Sequence, residues 1–472
     1  MILNNYRYKE GFMYTNKPQV HVEQGEQLKL TIKRLGINGE GIGYYEHKLV
    51  FVPGALPTEK VVVEVTEDLN NFIRADLIEI LRKSEDRVQP VDDYANEVGG
   101  FELENLAYPK QLEFKRDVIK DSLEKYKPAG YRKYKLLPTI GMDDPTHYRN
   151  KATFQIRNDG QKVIAGLYKH RSHTVVDLKT SALQYPLTMK VMRAVVEMID
   201  DLGIPVYDEE KNAGIIKTVV VRAATATDEA QVTFITQSKK LLKKHQLLER
   251  IDHDLPEVVS VMQNVNPGKT SLVWGEETIH LAGKDKITEV LNNLSFDLSA
   301  RAFLQVNPEM TAVLYQEAFK ALELSGKEKL VDAYSGVGTI GLSVAHQVRE
   351  VRGMDTIKDA VDDANANAIK NGIVNALYEV GEAEKLLPLW IEDGWNPTAM
   401  IVDPPRTGLA DSLIDTILDM TPKKFVYISC NPSTLARDLV KLTRKYNVEY
   451  IQSVDLMPQT SRCECVVKFK KK

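Results

Sequence analysis

The strongest constraint in this chain is a rhythm near its C-terminal end. Short apolar runs recur there: "KLVDAY", "EVRGMD", "LYEVG", "TAMIVD", "KFVYIS", "VEYIQSVD" and "CECVVKF". Helical stretches separate the first five. Apolar strands joined by helices predict a parallel sheet covered on both faces, because each crossover lays a helix on the sheet. The last two runs are joined only by a loop, which predicts an antiparallel hairpin at one edge. The fold class expected from residues 296–472 is α/β and Rossmann-like.

The first run leads into "SGVGTIGLSVA", where Gly336, Gly338 and Gly341 form G-x-G-x-x-G between a strand and a helix. Glycines there let the chain turn tightly and let a ligand approach the main chain. Asp355 ends the second strand, 19 residues after Gly336. A carboxylate at that place suits the hydroxyls of a ribose. A nucleoside-type cofactor is expected, and S-adenosylmethionine fits better than a dinucleotide. The terminal hairpin is one reason. The other is Asp403-Pro404-Pro405-Arg406 at the end of the fourth strand, since two successive prolines make a rigid, extended lip. Open α/β sheets bind ligands at the carboxyl ends of their strands. Tyr334, Asp355, Asp403 and Cys430 all fall at such ends.

Cys430 is the first of only three cysteines, and Asn431-Pro432-Ser433 follows it. A pyrimidine C5 is barely nucleophilic. A thiolate adding to C6 makes C5 reactive, and a base must later remove the C5 proton. Cys430 is the candidate nucleophile, and a helix beginning in "PSTLARDL" is expected to favour its ionisation. Arg406 is a second candidate for stabilising the thiolate or the enolate. Glu464 is the candidate base. In a strand it faces away from Cys463 and Cys465, which read as small buried hydrophobes.

Ahead of this lie two other regions. Residues 1–17 are polar and read as a flexible lead-in. Residues 18–80 hold short alternating runs split by Gly and Asn-Gly turns, predicting a small OB-like barrel of about five strands. Residues 81–295 mix strands and helices, an α+β pattern. From Lys110 to Arg171 there are 15 Lys and Arg against 7 Asp and Glu, interleaved with aromatics, although the whole chain carries −4. Such a stretch suits RNA, and equally a solvated face. So few cysteines exclude a disulfide framework and suit a reducing cytoplasm. No apolar run is long enough to span a bilayer.

These segments resemble the RNA uracil-5-methyltransferase family. "AFLQVNPEM", "DAYSGVGTIGL", "IVDPPRTGL", "YISCNPSTLARDL" and "MPQT" with a later Glu occur in family order. The N-terminal runs look like a TRAM domain, and "YRNKATFQIR" also looks like a family segment. The resemblance implies methylation of uracil C5 in 23S ribosomal RNA, with Cys430 as nucleophile and Glu464 as proton acceptor. It places Gln305, Tyr334, Gly336, Gly338, Asp355 and Asp403 at the cofactor. Arg149, Asn150, Lys151 and Arg406 would meet RNA, and the target uridine must be flipped out to reach Cys430. Transfer RNA is the alternative substrate. A non-catalytic RNA-binding or ribosome-assembly factor is the rival reading, and a monomer is the default. Many members hold an iron–sulfur cluster on four cysteines. The matching positions here are Asp92, Val98, Phe101 and a site near Ser181, so no such cluster and no metal is expected. Ser335 and Arg462 also depart from the family's usual Cys and His.

Overall fold

The computed structural model describes residues 20–472 apart from 96, 170, 171 and 271. The lead-in expected at residues 1–17 lies outside the described residues. The chain divides into two compact units, one ending at Arg87 and one running from Val88 to Lys472.

The first unit is a strongly curled sheet with order β1-β5-β6-β4-β3-β2. Its strands are β1 (Gln27–Thr31), β2 (Arg34–Leu35), β3 (Gly41–Tyr45), β4 (Lys48–Val52), β5 (Lys60–Asp68) and β6 (Phe72–Arg82). The sixth strand, beyond the five expected, is the two-residue β2, which pairs with β3 across the Asn38-Gly39 turn. Curling brings the end of β1 onto β3. A Cβ at Gly43 would sit 2.3 Å from Leu30 Cδ1, so any side chain there would force Leu30 to move. Leu28, Leu30, Val50, Val52, Val61 and Val63 fill the interior from alternate positions.

The second unit opens with α1 (Tyr108–Tyr126) and the short β7 (Lys135–Leu136). A seven-stranded sheet follows, with order β10-β9-β8-β11-β12-β13-β14. These are β8 (Lys151–Asn158), β9 (Val163–Tyr168), β10 (Val175–Asp177), β11 (Ile216–Ala224), β12 (Glu229–Thr236), β13 (Val258–Val265) and β14 (Glu277–Gly283). Helices α2 (Pro186–Asp201) and α3 (Lys244–Asp254) pack apolar residues such as Val191, Val195 and Leu247 into its core. A hairpin, β15 (Ile287–Leu291) and β16 (Leu294–Leu298), turns on Asn292 and Asn293. Both turn residues have positive φ, which asparagine tolerates and a two-residue hairpin turn demands. This hairpin delivers the segment 299–307.

Next come α4 (Pro308–Leu322), β17 (Lys329–Ala333), α5 (Thr339–Val344), β18 (Glu350–Asp355), α6 (Lys358–Lys370), β19 (Ala376–Val380) and α7 (Ala383–Glu392). They continue as β20 (Ala399–Val402), α8 (Asp411–Met420), β21 (Lys424–Ser429), α9 (Pro432–Leu442), β22 (Tyr446–Val454) and β23 (Glu464–Lys471). The sheet order is β19-β18-β17-β20-β21-β23-β22-β7. The first five strands are parallel, and β23 is antiparallel to both neighbours. The expected hairpin is present with a correction. Its second strand, β23, enters the sheet and displaces β22 outward, and the edge belongs to β7, which pairs parallel with β22. Residues on β21 alternate strictly: Phe425 and Tyr427 join the core under α7, α8 and α9, and Val426 and Ile428 join the core under α4, α5 and α6. Strand order reverses between β17 and β20, so their carboxyl ends flank a crevice. The core under α4–α6 also holds Phe154 and Val221 of the seven-stranded sheet. Packing is therefore continuous across the boundary expected near residue 295.

Candidate active site

The loop after β17 shapes one wall of the crevice. Tyr334, Gly336 and Gly338 have φ of 66°, 53° and 81°. A left-handed tyrosine costs on the order of 1 kcal/mol and persists because the surroundings fix it. A Cβ at Gly338 would sit 3.0 Å from the Tyr378 ring, whereas one at Gly336 would meet nothing within 4 Å. Gly338 thus serves packing as well as turning, and Gly336 leaves open space. Asp332 lies beneath the loop, fully buried. Its Oδ2 accepts from Gly341 N at 2.8 Å, and its Oδ1 has no partner. Asp355 closes the loop from β18, accepting from Gly336 N at 3.0 Å and Ile357 N at 2.9 Å.

Cys430 follows β21 and is partly exposed, whereas Cys463 and Cys465 are buried. Asn431 caps α9 by accepting from Ser433 N at 3.1 Å, and Pro432 fits the first helical turn. The Asn431 amide also donates to Arg406 O at 2.9 Å, and Thr434 Oγ1 donates there at 3.2 Å. The Asp403–Arg406 lip is thereby tied to the cysteine turn. Glu464 begins β23 and is buried, with Oε2 unpartnered. Its neighbours Cys463 and Cys465 face the opposite core, as strand alternation predicts.

The electrostatics of these groups are coupled. Burial pushes the Cys430 thiol up to about 12, and the carboxylates of Glu464 and Asp403 add to the rise, with Arg406 opposing. This runs against the expectation of a thiol readied by the helix, because desolvation and two acids raise it. Burial, then Asp403, raises Glu464 well above the usual carboxyl range, while Lys115 and Arg406 pull it down. Burial raises Asp403 to about 7, helped by Asp332, and Asp332 also to about 7.

Gln305 lies in the segment 299–307, buried, beside the exposed Phe303. Val306 O accepts from Asn150 N at 2.9 Å, and Asn307 Nδ2 donates to Leu456 O at 3.0 Å. One hydrogen-bonded run thus links Asn150, Gln305 and the loop leading to Glu464. Arg149 and Lys151 flank Asn150 and are both partly exposed. The structure gathers Cys430, Glu464, Asp403 and Arg406 within electrostatic reach, and Gly336 with Asp355 by direct bonds. Arg462 points to solvent.

The family model described as tRNA (Uracil-5-)-methyltransferase matches residues 107–472, and the TRAM domain model matches residues 21–78. The chain belongs to the uracil-5-methyltransferase family. It is an S-adenosylmethionine-dependent RNA methyltransferase with an N-terminal TRAM domain. A relative from Lactiplantibacillus plantarum, described as an uncharacterized RNA methyltransferase, is 61% identical over 456 residues, covering 97% of this chain and 95% of its own. One from Enterococcus faecalis, described in the same words, is 53% identical over 451 residues, covering 96% and 99%. The solved structure of the Pyrococcus abyssi tRNA (uracil-54, C5)-methyltransferase with S-adenosyl-L-homocysteine is 26% identical with a TM-score of 0.75. It covers 93% of this chain and 99% of its own.

The residues of this methyltransferase fit such a cofactor. Asp403 is partly exposed and lies within electrostatic reach of the buried Asp332 and Glu464, each of which leaves an oxygen unpartnered. That is a place for a cation. Gly336 leaves room beside the main chain, and Gln305 offers an amide.

Sequence reading missed the clamp behind Glu464. Lys115 of α1 and Asp455 form a fully buried ion pair, and Lys115 Nζ donates to Met457 O at 2.8 Å. Gln111 and Gln459 exchange two bonds, Nε2 to Oε1 at 2.7 Å and Gln459 N to Oε1 at 3.0 Å. A signal was available: Gln111, Lys115, Val118 and Ser122 share the apolar stripe of α1. A lysine on a buried stripe needs a partner. The positions matching the family's cluster cysteines converge. Asp92 Oδ2 accepts from Ala182 N at 2.8 Å beside Ser181, and Val98 and Phe101 are core residues. Among the described residues, no group of His, Cys, Asp or Glu is placed to hold a metal, and no helix is long and apolar enough to cross a membrane.

Proposed function

We propose that the chain methylates C5 of uracil in RNA through a transient bond between Cys430 Sγ and C6. The observation that carries this reading is a partly exposed thiol at a strand end, with Glu464, Asp403 and Arg406 close enough to shift its ionisation. Addition of the thiolate to C6 places electron density on C5 and O4. Arg406, on the lip, is positioned to steady that charge. Once C5 carries the methyl group, Glu464 would accept the proton released from C5, and the Sγ–C6 bond would break to return the thiolate. The buried setting of Glu464 suits this task, because a desolvated carboxylate is a stronger base. S-adenosylmethionine, when bound, supplies an electrophilic methyl group and a sulfonium charge that offsets the local acids. Tyr334, Gly336, Gly338, Asp355, Asp403 and Gln305 would hold it.

On the RNA side, Arg149, Asn150 and Lys151 would contact the strand, and the exposed Phe303 offers a ring on which a base can stack. We take 23S ribosomal RNA as the substrate, acted on by a monomer in a reducing, cytoplasmic setting that keeps Cys430 free. One observation favours transfer RNA as a second reading: the Pyrococcus abyssi enzyme acts on tRNA. Its 93% coverage takes in at least part of the barrel, so a TRAM domain does not separate the two substrates. Mass analysis of 5-methyluridine in both RNA classes, with and without the gene, decides. Loss from tRNA alone would refute the ribosomal assignment, and no loss from either would refute the activity.

A further inference from the structure

Arg222 is an arginine in an unusual position. It lies near the end of β11, a strand whose every residue is buried, and is itself 4% exposed. Its Nη2 donates to Ala302 O, within the segment that carries Phe303 and Gln305. Its Nη1 is buried with no partner. In the antiparallel pairing of β8 with β11, Lys151 sits directly opposite it. Arg149, two residues back, also has a buried Nε without a partner. Among the described residues none of the three cations has an ion-pair partner. The acids nearest Arg222 are already engaged. Asp363 accepts from Ser299 N at 2.9 Å and from Lys286 Nζ at 2.6 Å. Glu289 accepts from Thr225 N at 2.9 Å and Ala226 N at 3.2 Å.

Three cations are thus packed together with idle donors, a costly arrangement unless an anion completes it. Burial, then repulsion from Arg222 and Arg149, pulls the Lys151 ammonium down to about 7. Two anions could fill the place: an RNA phosphodiester or the carboxylate of the cofactor's amino-acid end. That carboxylate shares its carbon with an ammonium and its molecule with a sulfonium. A cluster of three cations repels both charges, whereas the carboxyl-rich crevice attracts them.

We propose that Arg222, Lys151 and Arg149 form a seat for one phosphodiester of the bound RNA strand, built into the back of the segment that presents Gln305. Arg222 is the buried floor, and Lys151 and Arg149 form the partly open rim. A phosphate there pins the strand to the same segment that faces the extruded base. The inference rests on the RNA-methyltransferase reading above and on no step of its chemistry.

The test uses the full chain and a short fluorescein-labelled oligouridylate, with anisotropy followed across a salt series. For single strands, log affinity falls with log salt by about 0.7 per phosphate contact. Lys151→Met removes a charge that makes no hydrogen bond in the protein, so the fold has no bond to lose. The slope should become shallower by about 0.7, with affinity roughly fivefold weaker at 0.1 M salt. Arg222→Met should do the same, and Arg222→Lys should recover the slope in part. Calorimetry with S-adenosyl-L-homocysteine should give the same affinity in Lys151→Met as in the parent. An unchanged slope in Lys151→Met overturns the proposal. So does weakened S-adenosyl-L-homocysteine binding with an unaltered slope, which would assign the cluster to the cofactor. A failed Cys430 adduct alongside the expected slope change would instead refute the catalytic reading and leave the seat standing.

Discussion

The state of Cys430 in the free protein can be measured directly with an aromatic disulfide reagent. Cys463 and Cys465 are buried, so the folded chain should release the chromophore once, from Cys430. Its thiol is raised from 9.0 to about 12. At pH 8 that shift lowers the thiolate fraction about 1000-fold, equivalent to roughly 4 kcal/mol. A more basic thiolate is also a better nucleophile. With a Brønsted slope of about 0.45, the same shift returns roughly 20-fold in rate. The net expectation is a reaction about 50-fold slower than that of a short peptide thiol. Restricted access could also slow it, so the pH profile is the deciding reading. A raised thiol gives a rate that climbs with unit slope through pH 9 and 10. A merely shielded thiol of ordinary acidity levels off near pH 9. Levelling off there, or a rate matching the peptide, would refute the electrostatic account of this pocket.

Glu464→Gln should leave addition intact and block proton removal, so a covalent protein–RNA species should accumulate on denaturing gels; its absence alongside normal turnover would remove Glu464 from the chemistry. Lys115→Met leaves Asp455 buried without its cation and should lower stability by about 3–5 kcal/mol in chemical denaturation. Adding Asp455→Asn should recover much of that loss, and strictly additive effects would mean that the pair is not coupled. Asp332 and Asp403 carry folded-state values of about 7, above the unfolded ones near 3.8. Their protonated forms therefore favour folding at low pH, and that contribution is lost as pH rises from about 4 through 7. Calorimetric Tm of the ligand-free protein should drop across this window, and Asp332→Asn should flatten the drop; a parallel curve for the variant would exclude Asp332 as a source.

What could be read from sequence and what could not divide along a physical line. Tyr334, Asp355, Asp403 and Cys430 were legible because each ends a run whose alternation or apolarity marks it as a strand, and a parallel sheet sends all such ends to one edge. The glycine loop was legible because positive φ is costly for other residues. The position of β23 was not, since nothing local to "CECVVKF" distinguishes an inserted strand from an edge strand. The β7 pairing was equally hidden, as two residues carry no periodicity. Lys115 left a local trace, a charge on an apolar stripe, but its partner lies 340 positions away. Arg222 was the hardest to find. It sits in a run of buried residues that reads simply as a central strand, and its meaning emerges only when β8 sets Lys151 opposite it.

The raised thiol and the raised carboxyl groups belong to one arrangement rather than to separate oddities. Burial holds the Cys430 thiol up, and Glu464 and Asp403 add to that rise. The same acids make the crevice attractive to a cation. Under the proposed mechanism, a positive ligand bound beside these acids would oppose that rise and favour the thiolate. The cluster of Arg149, Lys151 and Arg222 is the mirror image, a place where cations wait for an anion. The main chain of the segment 302–306 is fastened to Arg222 and Asn150 and, through Asn307, to Leu456. On the proposed reading, cofactor and RNA each bind beside this segment, so each ligand would steady main chain that the other uses.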